Sequence, residues 1–166
     1  MKHLLTFFVV LLLSTASLCQ TDSVYVKAGF KQYSIASKED LKISIHLYNN
    51  SGKPIEIPKK PKFSVDEDKL GEVLMELECL YGNCYEKIVT DVEYGFPEEH
   101  KLSGLQKIEP HDSVSYEYDT GKIFTYPNKR YRLRVHVLYF RPNETKDYFT
   151  KSDWIYFEVP FNKSSQ

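Results

Sequence analysis

The residues able to do chemistry in this chain are few and scattered. Of the histidines, His46, His100, His111 and His136 stand apart, with no H-x-H or H-x-x-x-H pair among them. A zinc site would therefore have to be gathered from distant segments, and surface histidine is the better reading. Glu98-Glu99-His100 is the densest ionisable cluster and would serve acid–base chemistry only inside a pocket. It lies in the most polar stretch of the chain, which favours solvated loop charge. Asp66-Glu67-Asp68-Lys69-Leu70-Gly71 begins like a calcium loop. Leu70 and Leu77, however, stand at the fifth and twelfth positions, where oxygen ligands are required. Nucleophile elbows, phosphate loops and dinucleotide fingerprints are absent from the sequence. The expectation is a non-enzymatic chain with no cofactor and no metal.

Cys79 and Cys84 are the next candidates. If 72–79 and 84–91 form a hairpin around a four-residue loop, the two thiols face each other across its base, within reach of a disulfide. The C-x4-C spacing is not that of a redox pair, and no cationic neighbour stands by to lower a thiol pKa. The compartment matters to this reading, because disulfides persist where the surroundings are oxidising.

The first residues supply that compartment. Met1-Lys2-His3 is a short basic start, Leu4 to Leu13 is apolar apart from Thr6, and Ser14 to Cys19 is small and weakly polar. This is the order of a removable signal peptide. The apolar run is about half the length of a membrane-spanning helix, so no transmembrane anchor is expected. Cleavage after Cys19 or after Ala16 fits the pattern. A lipid anchor on Cys19 fits less well, because bulky Leu18 precedes it. The reading is residues 1–19 as leader and 20–166 as one domain, secreted or held in the periplasm or cell envelope.

Removing the leader takes away one lysine and leaves a chain slightly more negative than the −1 of the full sequence. Such a charge offers no case for nucleic acid. The Lys59-Lys60-Pro61-Lys62 group reads as a solvated loop. Three N-x-S/T sequons, at Asn49, Asn143 and Asn162, carry no weight in this reading.

The elements that must position these residues have a period of two. Leu41, Ile43, Ile45 and Leu47 alternate with polar or half-polar residues, as do Val73 to Cys79, Val114 to Tyr118, Tyr131 to Tyr139 and Ile155 to Val159. Strict alternation puts one set on a buried sheet face and the other outward. Turn signals separate the runs: Asn49 to Pro54, Tyr81-Gly82-Asn83, Asp119-Thr120-Gly121, Pro127-Asn128 and Pro142-Asn143. The best helical candidate, 96–105, amounts to one short turn. Strands in series without helices predict an all-β sandwich or barrel.

Asp40 to Ile55 resembles the second strand and following turn of bacterial immunoglobulin-like domains. Ile108 to Tyr116 and Tyr131 to Val135 resemble their proline-turn-strand segment and penultimate strand. The same segments are similar to the BsuPI-type proteinase-inhibitor domain. This resemblance implies an immunoglobulin-like antiparallel β-sandwich of about seven to nine strands. Leu133 stands where antibody-type domains place a cysteine, and Trp154 falls in the last strand, so the likeness is to the looser sandwich family.

If Ile155, Phe157 and Val159 point inward, Trp154 and Tyr156 point outward, beside Leu138 and Phe140 on a neighbouring strand. That predicts an aromatic, apolar patch suited to a protein or carbohydrate partner. The expected function is an exported binding module. The alternative is a proteinase inhibitor presenting an inter-strand loop, 93–105 or 119–128.

Overall fold

The computed structural model describes residues 23–36, 40–64, 72–88, 104–120 and 129–160. The leader with Cys19, the acidic run at 66–71, the 96–103 stretch with Glu98-Glu99-His100, residues 121–128 and Asn162 lie outside the described residues.

Alternation sets the layers. Along Lys42–Asn50 (β2) every second side chain is buried, beginning at Ile43, and Val73–Tyr81 (β5) and Lys129–Phe140 (β9) do the same. Each strand thus has one apolar face, and two such faces must be stacked to remove them from water. Ser23–Phe30 (β1), β2 and Asp112–Asp119 (β8) form a three-stranded antiparallel sheet in the order β1-β2-β8. The second, larger sheet runs β4-β5-β9-β3-β7, where β3 is Ile55–Pro58, β4 Phe63–Ser64 and β7 Leu105–Ile108. Cys84–Lys87 (β6) pairs with β5, while Asp147–Lys151 (β10) and Ile155–Val159 (β11) pair with β9.

The molecule is an all-β sandwich. The long strand β9 sits centrally in the larger sheet, where it pairs with β5, β3, β10 and β11. Its core joins Ile43, Ile45 and Leu47 of the small sheet to Met75, Leu77, Leu133 and Val135 of the large one. Burying each such side chain stabilises the fold by roughly 1.5–3 kcal/mol. Through this interior Tyr131 stacks on Phe157 with ring centroids 5.5 Å apart, and Phe30 packs tilted against Phe157 at 4.7 Å.

Eleven strands are present among the described residues, more than expected. The additional ones are short. β3, β4, β6 and β7 have between two and four residues, too few alternations to stand out in sequence.

The hairpin at the cysteines differs from expectation. Tyr81 pairs with Cys84, so the loop is the two residues Gly82-Asn83 rather than four. Gly82 has φ 60, the conformation a tight two-residue turn demands of its first residue. Cys79 then lies opposite Glu86 and only diagonal to Cys84. Diagonal neighbours are about 7–8 Å apart, beyond disulfide geometry. Both thiols are free: Cys79 is buried and Cys84 is exposed.

Between β10 and β11 the pairing with β9 slips. Lys151 faces His136, whereas Ile155 faces Leu133, so three residues on one strand oppose two on the other. This is a β-bulge at Ser152-Asp153-Trp154. Ser152 holds it: its N–H donates to the Val135 carbonyl at 2.9 Å, and its Oγ accepts from the Val135 N–H at 3.0 Å.

The ends of the sandwich are closed by polar hubs. Asn49 is buried and donates Nδ2 to the carbonyls of Lys53 and Ile108, while its Oδ1 accepts from Ser51. The Asn49-Asn50-Ser51 sequon therefore encodes a turn. Beyond β1 the chain crosses to the other layer, where Ser34 bridges Glu158 in parallel and the Ile35 N–H donates to the Glu158 carbonyl.

Candidate functional site

The bulge decides where Trp154 points. In the register of β10, residue 154 would stand opposite Leu133 and face the core. The extra residue turns it to the outer face, beside Arg134, because a one-residue slip exchanges the two faces of a strand. Bulges re-aim side chains in this way.

The outer face of the large sheet is built in rungs. Glu78 of β5 stands opposite Arg132 of β9, which stands opposite Tyr156 of β11. In the next rung Glu76 stands opposite Arg134. The Arg132 guanidinium binds Glu78 at 2.5–2.6 Å, and Arg134 pairs with Glu76. His136 Nε2 lies 3.1 Å from the same Glu76 carboxylate. Trp154 lies across both arginines, its ring 4.4 Å from one guanidinium carbon and 4.5 Å from the other. Tyr85 of β6 covers Arg132 at 4.4 Å and meets Tyr156 edge-on at 5.9 Å.

This arrangement fixes the charges. Burial pushes the Glu76 carboxyl upward, but hydrogen bonds and charge from Arg134 and His136 outweigh it and hold the group below the usual carboxylate range. Desolvation lowers the Arg132 guanidinium pKa but the hydrogen bonding with Glu78 and Tyr156 raises it overall, and the hydrogen bond that Arg134 donates to Glu76 raises that guanidinium against its own desolvation. Glu76 is thus held as an anion and the arginines as cations. Guanidinium stacked on aromatic rings and held by carboxylates is a rigid platform, because each planar group is fixed on both sides.

The sequence placed Trp154 and Tyr156 outward, and they are. Tyr156 is 49 % exposed and Trp154 half-buried. Leu138 and Phe140 share the face but not the cluster. They lie beyond His136, opposite Phe149 and Asp147 of β10, and with Phe149, which is 65 % exposed, form a separate apolar strip. The single expected patch is two.

Arg132, Arg134, Glu76, Glu78 and Tyr85 were missed as site residues. A signal existed: Glu-x-Glu on one alternating run and Arg-x-Arg-x-His on another become charge pairs once those runs are neighbours. His46 lies on the outer face of the small sheet, 2.7 Å from Ser115 Oγ, and His111 in the turn before β8. The inhibitory loops expected at 93–105 and 119–128 fall largely outside the described residues.

No family model matches the chain, and no curated protein matches it.

Proposed function

We propose that this chain is an exported, non-enzymatic binding module that docks a protein partner on the outer face of its large sheet. The observation that carries the reading is the aim of Trp154. A bulge brings the chain's single tryptophan out of the core register and lays it over Arg132 and Arg134. Tryptophan, tyrosine and arginine are the side chains that dominate protein–protein contact energies. Tyr156, Tyr85 and the two arginines surround Trp154 with that composition.

The leader sequence supports export, and the likeness to bacterial immunoglobulin-like domains supports a binding role over a catalytic one. The test is capture of partners from an envelope extract by the protein and by its Trp154→Ala and Tyr156→Ala variants. Loss of a captured protein by about tenfold or more, with an unchanged unfolding midpoint, is the expected result. Undiminished capture by both folded variants would discard this face.

A further inference from the structure

Most strand edges are closed among the described residues. The outer edge of β11 is taken by the chain beyond β1, where the Ile35 N–H donates to the Glu158 carbonyl and the Glu158 N–H to the Tyr33 carbonyl. β1 and β10 lie against one another, and the Thr150 hydroxyl donates to the Val24 carbonyl at 3.0 Å. β4, β6 and β7 are two to four residues long. β8 differs. It is the last strand of the small sheet, eight residues in unbroken register with β2, without proline or glycine.

Its register fixes which backbone groups are used. The Thr120 N–H donates to the Leu41 carbonyl at 2.7 Å, and ladder bonds then recur at every second residue, Tyr118, Tyr116 and Val114. Ser113, Ser115 and Glu117 direct their N–H and C=O groups to the open side. Asp112 Oδ1 caps the Ser113 N–H at 2.7 Å. No hydrogen bond from the described residues reaches the Ser115 or Glu117 backbone there. An edge of this kind is a template for another strand.

The core is unfinished along the same edge. Ile43, Ile45 and Leu47 of β2 are fully buried, whereas their partners Tyr118, Tyr116 and Val114 are half-buried. The two tyrosines are held by the other sheet: Tyr118 stacks on Phe63 at 4.8 Å, and the Tyr116 hydroxyl accepts from the Gln106 amide. They form a fixed, largely apolar shelf beside the open backbone. The side chains that alternate with them face solvent and carry charge. Asp112, Glu117 and Asp119 are exposed, and β8 has no basic residue. Lys42, which approaches Glu117 at 3.7 Å, lies on the β2 side.

We propose that β8 accepts an extended segment of another protein in which basic and apolar residues alternate. Residues paired with Ser113, Ser115 and Glu117 complete the ladder and set their own side chains on the solvent face, among the carboxylates, so this set is basic. The residues between them fall on the inner face beside Val114, Tyr116 and Tyr118, so this set is apolar. A second copy of the chain fits poorly, because pairing β8 with itself gathers the carboxylates of both copies at one seam.

This edge is separate from Trp154, and its test distinguishes the two. The full chain is titrated calorimetrically with the capped peptide Lys-Val-Lys-Ile-Lys-Val. Binding is expected. Affinity should fall at least about tenfold when the lysines carry N-methyl groups on their backbone nitrogens, when glutamate replaces lysine, or when the same residues run Lys-Lys-Lys-Val-Ile-Val. N-methylation of the aliphatic residues, whose N–H groups point away from β8, should change affinity less than about threefold. Ser115→Pro deletes a donor that the β2 ladder does not use, and the folded variant should lose about tenfold or more. Glu117→Lys should weaken the lysine peptide several-fold and strengthen the glutamate one, while Trp154→Ala should leave both as they are. The two N-methylated peptides decide the matter without any variant. No binding of the first peptide, equal binding with either pattern of N-methylation, undiminished binding to folded Ser115→Pro, or a dimer of the chain that Ser115→Pro dissolves would overturn the proposal.

Discussion

His111 occupies a place that backbone geometry reserves for other residues. Glu109-Pro110-His111-Asp112 is a type II turn, closed by the Asp112 N–H donating to the Glu109 carbonyl at 3.1 Å, with His111 at φ 67. Proline suits the second position of such a turn and glycine the third. His111→Gly should therefore raise stability by about 1 kcal/mol, read from the midpoint of urea unfolding. An unchanged or lowered midpoint would show that the imidazole contributes contacts worth as much. The cysteines make a second residue-level case. Burial pushes the Cys79 thiol up, while Cys84 is exposed. Alkylation of the folded protein followed by peptide mapping should modify Cys84 rapidly and Cys79 only on unfolding. Modification of neither residue before reduction, even in the unfolded chain, would mean that the two are bonded.

At the scale of elements, the β10–β11 bulge and the β5–β9 charge rungs carry the site. Ser152 Oγ replaces a missing ladder partner for the Val135 N–H, inside the central strand of the large sheet. Ser152→Ala leaves that buried donor unpaired and should cost about 1–3 kcal/mol. It should also disturb Trp154, so near-ultraviolet circular dichroism is the companion measurement. The Glu76 carboxyl is held below its ordinary value of 4.5. A lowered folded pKa gives stability that is complete above the unfolded value and is lost as pH falls through the folded one. Urea midpoints taken from pH 7 down to pH 3 should decline, and Glu76→Gln should flatten that decline. A parallel decline in the variant would assign the effect to other carboxylates. These elements were only partly legible in sequence. Alternation shows which residues of β5 and β9 face outward, but not that the strands are neighbours. The bulge has no sequence mark, because Trp154 reads simply as part of the last strand's alternation.

For the molecule as a whole, the class of fold was open to reading and the order of strands was not. Period-two runs such as Leu41 to Leu47 and Tyr131 to Tyr139 are buried by stacking sheets or closing one, so a sandwich or barrel follows from the pattern. Strand order depends on contacts between residues far apart, such as Ile45 with Tyr116 or Leu77 with Leu133. No local signal encodes those pairings.

The crossing that ties Ser34 to Glu158 has a kinetic side. The first strand of the chain reaches the last, and the Thr150 hydroxyl donates to the Val24 carbonyl across 126 residues. Contacts of such sequence separation make folding slow, on the order of milliseconds to seconds. Until β11 is in place, the Phe30 ring lacks Phe157 and the Ile35 N–H lacks the Glu158 carbonyl.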